Sequence, residues 1–192
     1  MIESFSHNRP WANPFNPEEI GTPVAVQKAL DEYGHIQISL GRSEKQGENW
    51  INVDLRQMDG IQVVHDLENI EWPFPDASAS FVMAPLIIEH IDPAKMGIIK
   101  FFNEVWRVLQ YDKPFMFSVP YATSPTQYSD PGHTVAFNEV AFYNFDPMKP
   151  AWYNNYAPLP WKLENMFFQT QGIIEVSMSK RRIDSSYGCR YV

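Results

Sequence analysis

The chain has 192 residues, 44% of them hydrophobic and 15% aromatic, which is enough to bury one substantial core and fits a single domain over 1–192, since domains commonly run to about 100–200 residues. Its 15 basic residues stand against 23 acidic ones, a net charge of -8, and the isoelectric point near 5.1 makes nucleic acid an unlikely partner, because gripping phosphates by bulk electrostatics needs clustered Lys and Arg. No run of about 18 apolar residues occurs, so no membrane span is read and the protein is expected in the cytoplasm.

The opening MIESFSHNRPWANPF lacks a basic start followed by an apolar core, so it is not read as a signal peptide. Residues 1–20, with Pro10, Trp11, Pro14, Phe15 and Pro17, can sustain neither a helix nor a central strand and read as a surface arm with aromatic anchors. Thr22 as N-cap, Pro23 at the first helical position and Gly34 as terminator predict a short helix, with Val26, Ala29, Leu30 and Tyr33 on one face. HIQISLG (35–41) alternates like a strand entering a turn, and WINVDL (50–55) and IQVVHDL (61–67) are two further short β-rich runs. Residues 68–78 read as a loop, and SFVMAP (80–85) as a strand buried on both faces.

A long helix is predicted over 93–109, where Ile98, Phe101, Phe102, Val105 and Leu109 fall at helical spacing. KPFMFSVP (113–120) predicts another buried strand. Residues 121–160 read as a substrate-side insertion: a polar loop to 135, a short helix over 137–145 and a stretch rich in Pro and aromatics. Two strands, 161–170 and 173–183, close the chain, and Lys180, Arg181 and Arg182 read as an exposed strand end or a local salt-bridge partner. The single cysteine, Cys189, excludes an internal disulfide and cannot by itself form a zinc site, and no metal site is read. Strands alternating with helical segments, then a strand pair, predict a mostly parallel sheet with an antiparallel edge.

Ligands of such a sheet sit outside the carboxyl ends of its strands. Three of those ends form a graded pattern. Gly41 lets backbone approach a ligand closely, Asp54 offers a carboxylate to the two hydroxyls of a ribose, and Asp66 with Leu67 offers an acid and an apolar wall to an adenine. An aspartate at a strand end is as readily a turn residue.

The order and wording of LGRSEKQGENWINVDL, VVHDLENIEWPFPDASASFVMAPLIIEHI, FFNEVWRVLQ, FSVPYAT and DPGHTVAFNEVAFYNF resemble the class I S-adenosylmethionine-dependent methyltransferases. The resemblance is to a compact subgroup whose chains read as a glycine turn, INVD, HDL, WPF-D-S, EHI, NEVWRVL and DP-H, and it is collinear over residues 35–145. It implies a Rossmann-like α/β fold with a mostly parallel sheet, an antiparallel C-terminal pair and helices on both faces, with S-adenosylmethionine as cofactor. It further implies that Gly41, Arg42 and Ser43 face the methionine portion, that Asp54 binds the ribose, and that Leu55 packs on the adenine ring. Asp66 and Leu67 would border the adenine, and Ala84 and Pro85 would close the site. The resemblance supplies no catalytic base.

Two departures stand out. Ser43 occupies the second position of the subgroup's Gly-x-Gly turn, where a Cβ and hydroxyl intrude on the approach to the cofactor. Arg42 can reach the cofactor's carboxylate or point to solvent. Ala84-Pro85-Leu86 replaces small polar residues and a histidine. Glu89 and His90 offer a histidine beside an acid that could act as a general base, but adjacent helical residues point about 100° apart and need not share a site, so the plainer reading is helix-surface polar residues or a local cap. In the loop after the fifth strand, His133 of the Asp130-Pro131-Gly132-His133 run and Tyr121 are the candidates for contacting an acceptor, beside the plainer reading of a turn aspartate and a structural histidine.

The expectation is a methyltransferase acting on a small-molecule or saccharide-type acceptor. The alternative is a methyltransferase-like binding or structural protein without turnover, whose aromatic, Pro-rich arms at 9–17 and 146–161 dock a protein partner or a second copy. A nicotinamide-linked oxidoreductase would need the full G-x-G-x-x-G turn, which the segment after Gly41 lacks.

Overall fold

The computed structural model describes residues 22–41, 47–69 and 71–187. Helix α1 (Val24–Tyr33) ends as its sequence predicts: Gly34 takes φ 71° and its N–H caps the Leu30 carbonyl. The chain then forms β1 (Ile36–Leu40), β2 (Trp50–Asp54), β3 (Val63–Val64) and β4 (Ala79–Pro85), a 3₁₀ turn (Ile88–His90) and α2 (Gly97–Val108). β5 (Pro114–Pro120), α3 (Pro125–Tyr128), a 3₁₀ segment (Glu139–Phe145), α4 (Pro150–Tyr153) and the hairpin β6 (Trp161–Phe168) and β7 (Ile173–Lys180) follow. α2 begins later than its periodicity suggests, because residues 93–96 form a turn and Gly97 takes φ 71°. Among the described residues no helix is long and apolar enough to cross a membrane.

The strands make one seven-stranded sheet in the order β3-β2-β1-β4-β5-β7-β6. The first five pair in parallel, and β7 is antiparallel to both β5 and β6. The order reverses at β1: the chain moves outward to β2 and β3, then returns to add β4 on the other side of β1. Such a switch point leaves a crevice between diverging loops at the carboxyl ends.

The buried apolar strand residues share one register. Ile38 lies beside Ile51 and Val82, Leu40 beside Val53, Val82 beside Phe115, and Phe117 beside Val176, all of them buried. α1 adds Val26 and Ala29, and α2 adds Phe101, Phe102, Val105 and Val108, to this single cluster. Phe102 is its hub, with its ring 4.2 Å from Phe145, 5.4 Å from Phe117 and 5.6 Å from Phe115. The alternate register carries Ser39, Asn52, Met83, Met116, Ser118, Glu175 and Ser177, which are polar or partly exposed.

Two connections shape the crevice. Residues 41–49 join β1 to β2, a crossover shorter than the dozen or more residues a βαβ unit takes. The β3–β4 loop is fastened to α2 instead. Glu104 accepts the Trp72 N–H at 2.7 Å and pairs with Arg107 at 2.6 Å, while Arg107 donates to the carbonyls of Phe74 (2.8 Å) and Trp72 (3.1 Å).

The stretch 146–161 is packed rather than extended as an arm: Tyr153 and Trp161 are fully buried, and the Tyr153 hydroxyl donates to Pro158 O at 2.6 Å. Trp152 and Tyr156 keep exposed rings. The arm at 9–17 lies outside the described residues, as does Cys189.

Lys180 corrects the expectation of an exposed basic strand end, since it is 3% exposed. Its Nζ donates to Leu109 O at 2.6 Å and lies 3.9 Å over the Trp106 ring. Burial pushes its ammonium down to about 8. The unfolded chain therefore binds more protons than the folded one between that value and the ordinary lysine range near 10.4, so stability rises with pH across the window. We expect the unfolding free energy of the protein, relative to that of Lys180→Met, to rise by about 2 kcal/mol between pH 8 and pH 10.5 in urea titrations; a flat difference would contradict the assignment.

Candidate functional site

The sheet brings most of the predicted cofactor residues to one edge. Gly41 takes φ 70° and donates its N–H to Val53 O at 2.8 Å; a Cβ there would lie 2.7 Å from Ile87 Cδ1. The turn after β1 thus packs directly on the turn after β4, across the switch point. Arg42 and Ser43 lie outside the described residues. Asp54 ends β2, with its side chain 14% exposed and Oδ1 accepting the Arg56 N–H at 2.9 Å. Asp66 Oδ1 accepts the Glu68 N–H at 3.0 Å. Each aspartate shapes its own turn and still has acceptor capacity beyond that bond.

Leu55 is half-buried beside Asp54. The side chains of Leu67 and Ala84 belong to the core cluster, so only their backbones can face a ligand. Pro85 falls in the alternate register, half-buried. Leu86 follows with φ 52° and its N–H on Ser118 O at 3.0 Å. A branched residue in the left-handed region is strained, and such strain concentrates at functional sites.

A second group of residues converges beside this edge. Thr134 and Val135 donate their N–H groups to Glu89 O at 2.8 and 3.2 Å, and Thr134 Oγ1 donates to Ile91 O at 3.0 Å. These bonds fasten the loop after β5 onto the turn after β4 and bring His133 to Glu89 and His90. The expectation of Glu89 as a surface residue is overturned: it is 0% exposed, and both carboxylate oxygens lack a hydrogen-bond partner. Burial pushes its carboxyl up to about 7. Oε1 stands 4.0 Å from His133 Nε2.

The carbonyl neighbours of the two histidines fix their tautomers. His133 Nδ1 is 2.9 Å from Gln127 O and His90 Nδ1 is 3.1 Å from Gly132 O. A carbonyl can only accept, so each Nδ1 carries the proton and each neutral ring has its lone pair on Nε2. The rings meet edge to face with centroids 4.7 Å apart. Tyr121 stands apart from this group, its hydroxyl donating to Glu139, and that bond holds its pKa above the ordinary phenol range. The sequence did carry a signal for Glu89: an acid embedded in the apolar run Leu86-Ile87-Ile88 and Ile91.

No protein-family model matches the chain, and no curated protein does. Solved structures match its fold. The 16S rRNA (adenine(1408)-N(1))-methyltransferase W203A mutant from Catenulisporales acidiphilia, crystallised with SAM, matches with a TM-score of 0.54 at 12% identity, over 84% of this chain and 92% of that one. A SAM-dependent methyltransferase from Archaeoglobus fulgidus matches with a TM-score of 0.51 at 15% identity, over 81% and 93%. A methyltransferase complex with the Trm112 activator of Haloferax volcanii matches with a TM-score of 0.52 at 12% identity, over 82% and 89%. This is the class I methyltransferase fold.

On that methyltransferase fold, the edge formed by Gly41, Asp54 and Asp66 is acidic, and the triad of Glu89, His90 and His133 stands at the adjoining strand ends. If Gly41 is required for its backbone conformation, Gly41→Ala should cost about 1–2 kcal/mol, the penalty of left-handed φ for an L-residue. Calorimetry should then show a thermal midpoint lower by about 3–6 °C, and an unshifted midpoint would remove the requirement.

Proposed function

We propose that the chain is an S-adenosylmethionine-dependent methyltransferase acting on a small-molecule or saccharide-type acceptor in the cytoplasm. The observation that carries the reading is the convergence of a left-handed glycine, Gly41, with the carboxylates of Asp54 and Asp66 on successive strand ends at the switch point. A nucleoside cofactor needs these features: backbone that can be approached closely, and carboxylates to take ribose and adenine donors. The SAM bound to the Catenulisporales acidiphilia fold neighbour supports the choice of cofactor.

Methyl transfer from a sulfonium requires in-line positioning and no covalent enzyme intermediate, so a fold that holds cofactor and acceptor side by side supplies much of the catalysis. That neighbour acts on 16S rRNA. The net charge of -8 and the burial of Lys180 within the one basic cluster favour a smaller acceptor here. Pro85 and Leu86 favour the competing reading of a binding protein without turnover, because they place apolar side chains at the end of β4.

Isothermal titration with S-adenosylmethionine and S-adenosylhomocysteine tests the reading. Micromolar binding of either supports it, and a folded protein that binds neither at millimolar concentration rejects it. Asp54→Ala should weaken binding by at least about 30-fold, the loss of hydrogen bonds to a charged group, with the circular dichroism spectrum unchanged; retained affinity would refute the ribose assignment. Ser43→Gly should tighten binding by about two- to five-fold by relieving the glycine turn, and equal or weaker binding would dismiss Ser43 as the weak point.

A further inference from the structure

We infer that Glu89, His90 and His133 form a binding site for one divalent transition-metal ion, of the zinc class, with coordination positions left open to an acceptor hydroxyl. Their ligand atoms lie within 4.8 Å of one another. Glu89 is fully buried with both carboxylate oxygens unpartnered, a costly arrangement unless a cation completes it. Its Oε1 and His133 Nε2, at 4.0 Å, need close by only about 0.6 Å to reach the separation of two ligands on a tetrahedral ion with bonds near 2.1 Å.

The histidines are prepared for the role. Each donates Nδ1–H to a backbone carbonyl, Gln127 O or Gly132 O, which is how metal-bound imidazoles are oriented and made more basic. Gly132 is itself shaped by the Asp130 side chain, which accepts its N–H at 2.7 Å, and a Cβ at Gly132 would lie 3.3 Å from His90 Nδ1. Two imidazole nitrogens and one carboxylate oxygen suit zinc and its first-row neighbours, whereas calcium and magnesium prefer oxygen-only shells. His90 is only half-buried and leaves access for the ion.

Three protein ligands leave the open position typical of catalytic zinc. The role of that position rests on the methyltransferase reading. Ile87, two residues before Glu89, packs on the Gly41 turn, so the ion would sit beside the cofactor edge. An acceptor hydroxyl bound there loses its proton to solvent water more readily. Its oxygen then bonds to the cofactor's methyl carbon as the carbon–sulfur bond breaks, with the electron pair passing to sulfur. The substrate class is therefore a hydroxyl compound and the product a methyl ether.

The experiment is a titration of chelator-treated, dialysed protein with Zn²⁺, followed by calorimetry, and with Co²⁺, followed by its visible absorption. The expected result is one ion per chain and a Co²⁺ spectrum of four or five nitrogen and oxygen ligands. Glu89→Gln, His90→Ala and His133→Ala should each weaken binding at least ten-fold, while His35→Ala, outside the cluster, should leave it unchanged. His90→Ala, the most exposed of the three positions, keeps the test readable where the buried ones fail to fold. No stoichiometric ion in the wild type, or equal affinity in folded cluster variants, overturns the site. S-adenosylmethionine binding by the metal-free protein is measured in parallel: its absence beside intact ion binding strikes the methyltransferase reading and, with it, the hydroxyl substrate, and leaves the ion site standing.

Discussion

β1 pairs in parallel with β2 on one side and β4 on the other, and everything at the site depends on that double pairing. Parallel neighbours must be entered from the same end, so the turns after β1, β2 and β4 all leave at one edge of the sheet. The packing of Ile87 against Gly41 follows from it. The turn after β4 then carries Glu89 and His90 beside the crevice, and the loop after β5 is bound to that turn through the Glu89 carbonyl. Pairing geometry brings together residues far apart in sequence.

Much of the fold was legible because local chemistry and tertiary contacts agree. Gly34 ends α1 where expected, while Pro23 stands at the N-cap in place of Thr22 and not at the first helical position; the apolar runs of β4 and β5 are central strands, buried mainly on one face rather than on both. The glycine and the two aspartates were legible for the same reason, each ending a short apolar run. Glu89 was misread because its segment is a 3₁₀ turn covered by the loop after β5, a tertiary contact that helical spacing does not show. His133 lies 44 positions downstream, and no spacing in the sequence announces the Thr134 and Val135 bonds that deliver it. Lys180 was misread because Trp106 and Tyr111, which cover it, come from the α2 region.

Two buried ionic arrangements show opposite solutions to the cost of desolvating charge. Glu104 has Arg107 and the Trp72 N–H within hydrogen-bond reach, so its charge is matched and the β3–β4 loop is fixed on α2. Glu89 has no cation within hydrogen-bond reach among the described residues, His133 standing 4.0 Å away, and its carboxyl shifts upward instead. Matched buried charge organises structure, whereas unmatched buried charge marks a place where free energy is held in reserve for something that binds.

The crossover from β1 to β2 sets how this fold can diversify. Lengthening a loop is cheap, about 0.6 kcal/mol for each doubling, and among the described residues of the β1–β2 connection, Gly41 and 47–49, none belongs to the hydrophobic cluster. The opposite wall, 86–92, holds Ile88 and Ile91 in the core and Glu89 beneath a neighbouring loop. One side of the crevice is thus open to insertion and recombination while the other is fixed. New ligand specificities should accumulate by grafting onto the first wall, with the second inherited unchanged.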